Sequence, residues 1–182
     1  MREFHLAAEP GGVDIELVPG FASLPSPIED GATFDENAEI KARYYGRLTG
    51  GLMFADDSGL EVDALGGAPG VRSARYSGED ATDESNNRLL LANLAGVKDR
   101  RARFVCSIAV VQGGNLRGIY RGKVEGEIID APRGPHGFGY DPLFYFAPFG
   151  CTFGETPDDR KFDVSHRGQA LRAMLRDLTG KL

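Results

Sequence analysis

The stretch Leu52–Tyr76, LMFADDSGLEVDALGGAPGVRSARY, determines how the rest of the chain is interpreted. It opens with four apolar residues, Leu52–Ala55, which are typical of a short buried strand. Two adjacent carboxylates, Asp56 and Asp57, follow where such a strand would leave a sheet. Because neighbouring residues on an extended chain point to opposite faces, one carboxylate can anchor the turn while the other faces a cleft.

After the aspartates, the sequence predicts a turn at Ser58 and Gly59 and a second strand over Leu60–Leu65. The residues 66–70, GGAPG, predict a tight loop that lets backbone approach a ligand closely. Two interpretations of the acidic pair stay open at this point. In the first interpretation the pair is a hard-cation site, because oxygen ligands suit magnesium and a phosphate substrate can supply more of them. Alternatively, Asp and Ser only satisfy the backbone of the turn.

The composition indicates one soluble globular domain over residues 1–182, with 41% hydrophobic and 26% charged residues. The net charge of −6 opposes nucleic-acid or membrane partners, so a polyanionic substrate needs local cations or a metal. Two cysteines, Cys106 and Cys151, do not suggest a disulfide framework. The chain has neither an 18-residue apolar stretch nor an apolar signal region, so we expect a cytoplasmic location.

The first predicted helix begins at Thr33, because Thr33 and Glu36 match a capping box, and it runs to about Leu48. Lys41 lies in the middle of its apolar stripe, with Asn37 on the same side; the stripe itself comprises Phe34, Ala38, Tyr45 and Leu48. Lys41 either lays its stem on the core and extends its ammonium to water, or reaches a phosphate in a cleft. Upstream, Met1–Glu9 is compatible with a helix and Val13–Val18 alternates like a strand.

Further along, a helix capped by Thr82 or Asp83 carries a run of leucines. Strands are predicted over Arg103–Gln112 and Arg117–Ile129, joined by a hairpin turn at residues 113–115. Lys161 lies in a predicted polar loop. Ser165 caps a last helix whose buried face comprises Leu171, Met174, Leu175 and Leu178. Its first turn holds His166 and Arg167, where cations are unusual, and this suggests an anionic or carbonyl-bearing ligand.

The segment 134–146, GPHGFGYDPLFYF, is the second unusual stretch. Its glycines free the backbone, while Phe138 and Tyr140 bring aromatic rings that suit a planar base. Asp141 is held extended because a proline follows it. Core packing accounts for the apolar end of the segment but not for the glycines, so ligand binding is the favoured interpretation.

Four segments together resemble the inosine-triphosphate pyrophosphatase family: TFDENAEIKAR (33–43), FADDSGLEVDALGGAPGVRSARYSGEDAT (54–82), GFGYDP (137–142) and SHRGQAL (165–171). The resemblance implies an elongated α/β fold with a central mixed sheet and flanking helices, two lobes around a nucleotide cleft, and a homodimer. The implied reaction is the magnesium-dependent hydrolysis of deaminated purine nucleoside triphosphates (ITP, dITP or XTP) to the monophosphate and pyrophosphate. The implied partner is thus a small-molecule purine nucleoside triphosphate.

The resemblance also assigns roles to residues. Asp57 is the expected catalytic base and, with Glu29, the expected Mg²⁺ ligand. The expected substrate contacts are Lys41, Ser58, Phe138, Gly139, Tyr140, Asp141, Lys161, His166 and Arg167. These roles agree with the chemistry, because attack at the α-phosphorus needs a water, a base and cations near the leaving pyrophosphate.

The chain departs from the family pattern at its start. The family opens with a strand and a triphosphate-binding loop reading Thr or Ser, Gly, Asn, two variable residues and Lys. Here Met1-Arg2-Glu3-Phe4 resembles the helix after that loop, so the resemblance implies an N-terminally truncated domain. The alternative function is therefore a homologue that binds nucleotides but is catalytically impaired.

Overall fold

The computed structural model describes residues 14–180. In that range the helices are α1 (Phe34–Thr49), α2 (Asp83–Asn93), α3 (Asp158–Val164) and α4 (His166–Thr179). The strands are β1 (Leu52–Val62), β2 (Arg101–Gln112), β3 (Asn115–Ile128), β4 (Phe144–Phe146) and β5 (Cys151–Thr152). The predicted α/β class is confirmed. No helix in the described range is long and apolar enough to cross a membrane.

The five strands form one sheet in chain order, β1-β2-β3-β4-β5. The two residues Gly113 and Gly114 join β2 to β3 as predicted, which makes this pair an antiparallel hairpin. β4 is antiparallel to both β3 and β5. β1 runs antiparallel to β2, because Gly113 N donates to Gly51 O at one end (3.3 Å) and Arg103 contacts Glu61 at the other. The described strands thus form an antiparallel meander, whereas the resemblance implied a mixed sheet.

The chain divides into two compact units. In the described range, unit 1 comprises residues 14–57, 106–122 and 166–180, and unit 2 comprises 58–105 and 123–165. One cluster in unit 1 packs α1 against β2 through small side chains: Ala38, Ala42, Ala109 and Val111. α4 supplies further buried side chains, namely Ala170, Leu171, Met174 and Leu175. Because these side chains are small, α1 lies close to the strands. The polar residues of α1 therefore lie near strand β1.

Unit 2 has its own core. Its fully buried members are Leu60, Val62, Leu90, Leu94, Ala102, Leu143 and Phe144. An aromatic group reinforces it, since the rings of Phe104 and Phe144 lie 4.6 Å apart and those of Phe144 and Phe153 lie 5.1 Å apart. Core packing therefore accounts for the apolar end of segment 134–146, as the alternative interpretation stated.

The predicted turn at Ser58 and Gly59 is wrong, because β1 continues through both residues to Val62. Gly59 is needed for close packing instead of for a turn. A Cβ on Gly59 would lie 2.3 Å from Ser73 Oγ, and Ser73 Oγ accepts a hydrogen bond from the next backbone amide, Leu60 N, at 2.8 Å. The two aspartates therefore lie in the middle of a strand.

The other predicted elements had mixed outcomes. The helix start at Thr33 is confirmed, and of the two predicted caps of the next helix, Thr82 and Asp83, the Thr82 side chain is the one that caps it. Leu48 is 57% exposed and does not belong to the buried stripe. Residues 14–18 form no strand; they line an apolar pocket of about 440 Å³ in unit 1. The predicted helix Met1–Glu9 and residue Val13 lie outside the described residues.

Candidate active site

The first helix of unit 1 positions the lysine of the site. Thr33 Oγ1 accepts from Glu36 N at 3.2 Å, and the Glu36 carboxylate accepts from Ala32 N at 2.6 Å. These two bonds satisfy amides that a helix start leaves without intrahelical partners. Lys41 follows two turns later on the face that borders β1.

Lys41 joins two carboxylates. Its Nζ lies 2.7 Å from Asp57 Oδ1 and 2.9 Å from Glu29 Oε2. The Lys41 side chain is 17% exposed and that of Asp57 is 12% exposed. We call these three residues the acidic corner. The ammonium is therefore ion-paired inside unit 1, which contradicts the alternative in which Lys41 extends to water.

The acidic corner has a formal charge of −1, because Glu29 and Asp57 are two carboxylates against one ammonium. Burial raises the pKa of the Asp57 carboxyl above its usual range, with a smaller contribution from the charge of Glu29, and Lys41 opposes this rise. A carboxylate with a raised pKa is a better proton acceptor than an ordinary aspartate, because it binds a proton more tightly.

The residues of the acidic corner suit a hard divalent cation. Asp57 Oδ2 is buried and has no hydrogen-bond partner among the described residues, so one oxygen of the expected ligand is still available. The excess negative charge and the all-oxygen donor set match the preference of Mg²⁺. In the described range no group of three His, Cys, Asp or Glu side chains forms a metal cluster. Glu29 and Asp57 are the two carboxylates that fit such a cation, and substrate phosphate or water would supply its other ligands.

The other aspartate of β1, Asp56, pairs with a different cation. Asp56 Oδ2 accepts a hydrogen bond from Arg167 Nε at 3.0 Å, and both side chains are less than one quarter exposed. Arg167 lies in the first turn of α4 beside His166, as predicted. That turn rests on β3 at Gly122, where a Cβ would lie 2.1 Å from His166 O. Only glycine permits this approach, so Gly122 helps to set the position of the first turn of α4.

In unit 2, four of the predicted contacts form one cluster. Lys161 Nζ donates to Asp141 Oδ2 at 2.9 Å, and both side chains are only 6% exposed. Phe138 N donates to the same oxygen at 3.0 Å, and Lys161 Nζ lies 5.2 Å from the centre of the Phe138 ring. Asp83 Oδ2 accepts from Gly139 N at 2.7 Å. The cluster holds the Phe138–Asp141 loop in one conformation.

Three details of this cluster differ from the expectation. Lys161 lies in α3, not in a loop, and it is buried because Asp141 pairs with it. Tyr140 is 4% exposed and its hydroxyl donates to Ser73 O at 2.9 Å, so its ring belongs to the core of unit 2. Phe138 is 59% exposed and is the aromatic residue of this loop that a base can reach.

Nearly the whole chain matches a known protein family. The model of the Ham1 family matches residues 1–177. The chain belongs to the Ham1 family. Among similar Ham1 relatives, a dITP/XTP pyrophosphatase of Syntrophobacter fumaroxidans is 52% identical over 97% of this chain and 76% of its own length. A dITP/XTP pyrophosphatase of Acidobacterium capsulatum is 46% identical over 99% of this chain and 93% of its own length.

Solved structures of similar proteins have the same fold as this chain. A HAM1 protein from Coxiella burnetii superposes with a TM-score of 0.89 at 40% identity, covering 98% of this chain and 94% of that one. A nucleoside-triphosphatase, dITP/XTP pyrophosphatase, from Mycobacterium abscessus has a TM-score of 0.77 at 42% identity, covering 97% of this chain and 93% of that one. The α/β fold of this Ham1 protein is therefore shared with experimentally determined structures.

Three residues that contact or neighbour predicted site residues were not themselves predicted as site residues. Asp83 holds Gly139, and Asn87 Nδ2 donates to Gly139 O at 2.9 Å. Both are ordinary polar residues at the start of a helix, and nothing in the local sequence pattern distinguishes them. Asn37 was noted only as a neighbour of Lys41. Its place on the same side of the predicted helix as Lys41 was the available sequence signal, and the structure shows that Asn37 is 1% exposed.

Proposed function

We propose that this Ham1 protein hydrolyses deaminated purine nucleoside triphosphates, namely dITP, XTP and ITP, to the monophosphate and pyrophosphate. Relatives that match nearly the whole chain carry the name dITP/XTP pyrophosphatase. The observation on which the proposal depends most is the acidic corner, in which a buried carboxylate, a second carboxylate and an ammonium meet. Nucleotide binding without turnover is not favoured by these relatives.

Asp57 is the proposed base. A water attacks the α-phosphorus, its proton passes to Asp57, and the bond from the α-phosphorus to the oxygen bridging to the β-phosphorus breaks. Pyrophosphate leaves with the electron pair of that bond. Lys41 keeps Asp57 oriented through Oδ1 and offsets negative charge near the reacting phosphates. General-base catalysis of this kind contributes about 10²- to 10⁴-fold in rate.

Magnesium is the proposed cofactor, held by Asp57 and Glu29. When bound, it would neutralise charge on the phosphate oxygens of the substrate. The protein's own part is to keep two carboxylates in a partly buried position, and the ammonium of Lys41 limits their mutual repulsion. This arrangement suits a cation that arrives together with a polyphosphate.

The remaining predicted contacts are proposed to bind the substrate. Ser58 continues strand β1 directly after Asp57, and Lys161 with the loop Phe138–Asp141 is proposed to bind the base and ribose. His166 and Arg167 are proposed to donate to the 6-oxo group. Adenine presents an amino donor at that position, and a buried donor left unpaired costs about 1 to 3 kcal/mol. This difference corresponds to roughly 5-fold to 150-fold discrimination against dATP.

The substrate proposal is tested by measuring pyrophosphate release from dITP, XTP, dATP and dGTP with Mg²⁺. We expect dITP and XTP to be hydrolysed with a kcat/KM at least about fivefold above that for dATP. Equal rates on all four nucleotides would contradict the selectivity, and binding of dITP without turnover would instead support the impaired homologue. The homodimer that the resemblance implies and the cytoplasmic location expected from the sequence are further proposals.

A further inference from the structure

Gly139 in unit 2 separates an aromatic residue that faces solvent from one that belongs to the core. Phe138 is mostly exposed, whereas Tyr140 is buried and its hydroxyl donates to Ser73 O. Gly139 has a φ of +59°, in the left-handed region that glycine adopts without strain. Apart from its chain neighbours, no described residue lies within 4 Å of a Cβ built on Gly139. The backbone conformation at Gly139, and not a lack of space, therefore sets the direction of the Phe138 ring.

Two side chains of α2 hold this backbone. Asp83 Oδ2 accepts from Gly139 N at 2.7 Å, and Asn87 Nδ2 donates to Gly139 O at 2.9 Å. Residues four apart on a helix lie on one face, so neighbouring side chains take both hydrogen-bonding atoms of the Gly139 backbone. We call Asp83 and Asn87 the glycine clamp.

The helix that carries the glycine clamp is itself firmly placed. α2 begins with a capping box, which satisfies amides of its first turn. Asn86 fastens it to the segment before the helix, because its Oδ1 accepts from Ser77 N at 2.8 Å and its Nδ2 donates to Ala74 O at 3.1 Å. Tyr140 is hydrogen-bonded to Ser73 in the same segment. The glycine clamp and the core side of the loop therefore share one support.

The Phe138 side of Gly139 is held from another direction. Asp141 Oδ2 accepts from Phe138 N at 3.0 Å and pairs with Lys161, whose Nζ lies 5.2 Å from the centre of the Phe138 ring. A cation above an aromatic ring is attracted to it. A ring that is already held in place loses little freedom when a planar base stacks on it, and such preorganisation raises affinity.

Stability alone does not explain the amide of Asn87. Its Oδ1 is buried and has no hydrogen-bond partner within residues 14–180. An unpaired buried acceptor is unfavourable, so an apolar side chain of similar shape would remove that penalty while it removed the bond to Gly139. What the amide provides is the hold on the Gly139 carbonyl.

We propose that Asp83 and Asn87 are positioning residues for the purine base, an inference that rests on the proposed function. By holding Gly139 they keep the Phe138 ring in the orientation on which the base stacks. They act through the backbone of the loop and not on the phosphates. Their loss therefore lowers affinity for ligands that carry a purine base and leaves affinity for pyrophosphate unchanged.

The kinetic test uses Asp83→Leu and Asn87→Leu, because leucine keeps the branching of both side chains and has no polar atom. We expect KM for dITP to rise about fivefold in each, as for loss of one hydrogen bond, while kcat stays within threefold. Asp83→Asn keeps an oxygen that accepts from Gly139 N, and it should restore KM to within twofold of the wild type. Both Asp83 variants remove the charge from the first turn of α2, so their difference measures the hydrogen bond and not the helix dipole.

The binding test compares dIMP, which carries the base, with pyrophosphate, which does not. Calorimetry with Mg²⁺ should show Kd for dIMP raised about fivefold in both leucine variants and Kd for pyrophosphate within twofold. A general loss of structure would weaken both ligands. The matched control is Glu84→Leu in the same helical turn, since Glu84 pairs with Arg88 instead of with the loop. It should bind dIMP within twofold of the wild type.

The possible outcomes separate the glycine clamp from the proposed function. If the wild type hydrolyses dITP and both leucine variants bind dIMP as it does, the positioning role is refuted and the proposed function stands. Equal weakening of dIMP and pyrophosphate also refutes the positioning role. If dIMP binding alone is weakened but the wild type does not hydrolyse dITP, the positioning role stands and the proposed function fails. A wild type that does not bind dIMP overturns the positioning role, and Asn87→Leu decides if Asp83→Leu does not fold.

Discussion

At the scale of single residues, the site depends on the alternation of side chains along β1. Asp56 and Asp57 are adjacent and therefore point to opposite faces of the strand. The two side chains have different partners, since Asp57 contacts Lys41 and Asp56 contacts Arg167, but the predicted turn that one of them would anchor does not form. One strand thus places two carboxylates against cations from two different helices, α1 and α4. The pair could be predicted from the sequence because strand alternation is a local property.

Removal of the shared cation should change both stability and metal affinity. In Lys41→Met, Glu29 and Asp57 would face each other without an ammonium, and the corner charge would change from −1 to −2. We expect a loss of roughly 1 to 3 kcal/mol in the free energy of unfolding without metal. We also expect Mg²⁺ to raise the melting temperature more in the variant than in the wild type, because the doubled charge attracts the cation more strongly. Calorimetric melts with and without Mg²⁺ measure both, and an equal Mg²⁺ effect in the two proteins would contradict the assignment of a cation site.

At the scale of elements, the placement of α1 and α4 decides whether their residues reach β1. α1 is tied at its start by Asp35, whose carboxylate accepts from Arg121 Nε at 2.9 Å and from Ser107 Oγ at 2.5 Å. These partners lie on β3 and β2, so one side chain fastens the helix to two strands. α4 is placed by its contact with Gly122 on β3.

The Asp35 contacts predict a pH-dependent stability. The hydrogen bond from Arg121 holds the pKa of the Asp35 carboxyl below its usual range, with Ser107 contributing in the same direction. Because the folded pKa lies below the unfolded value of about 4, the stabilisation is complete above that value and is lost as the pH falls through the folded pKa. Asp35→Asn should therefore be less stable than the wild type at pH 7, by less than about 1 kcal/mol because Arg121 is largely exposed.

The difference between Asp35→Asn and wild type should shrink toward zero as the pH is lowered below about 4. Urea unfolding at several pH values measures it. The control is Glu84→Gln on α2. The Glu84 side chain is 86% exposed, and that of its partner Arg88 is 72% exposed. The free energy of unfolding of that variant should match that of the wild type at every pH. A pH-independent difference for Asp35→Asn would show that its charge is not involved.

The contact of α4 with β3 predicts a steric effect. In Gly122→Ala the new Cβ would lie 2.1 Å from His166 O, a backbone atom that can move only with the helix. We expect a loss of about 1 to 3 kcal/mol in stability and a fall in kcat/KM for dITP, because His166 and Arg167 are displaced. Gly51→Ala is the control, since nothing lies within 4 Å of its new Cβ. Unchanged kcat/KM in Gly122→Ala would show that the position of this turn does not affect the reaction.

At the scale of the whole molecule, local features could be predicted and long-range ones could not. The caps at Thr33 and Thr82 and the turn after β2 were predicted, because each depends on residues within one turn of chain. The continuation of β1 through Gly59 depends on Ser73, which lies 14 positions later. The burial of Lys161 depends on Asp141, 20 positions earlier. Such contacts are set by tertiary packing and leave no periodic signal in the sequence.

Substrate binding should also be measurable as global stabilisation. A ligand that binds only the folded state at 100 times its Kd adds about 2.7 kcal/mol to the free energy of unfolding. We expect dITP with Mg²⁺ to raise the melting temperature of Asp57→Asn, which binds the nucleotide but hydrolyses it at least 100-fold more slowly, and dATP to raise it less. Equal shifts for both nucleotides would mean that the 6-oxo group is not recognised.

The central claim is that the Asp57 carboxylate takes the proton of the attacking water, and the kcat of Asp57→Asn for dITP tests it most directly. The account predicts a loss of about 10² to 10⁴ in kcat in a protein that keeps the wild-type circular dichroism spectrum. A kcat within threefold of the wild type, in that folded variant, would contradict it.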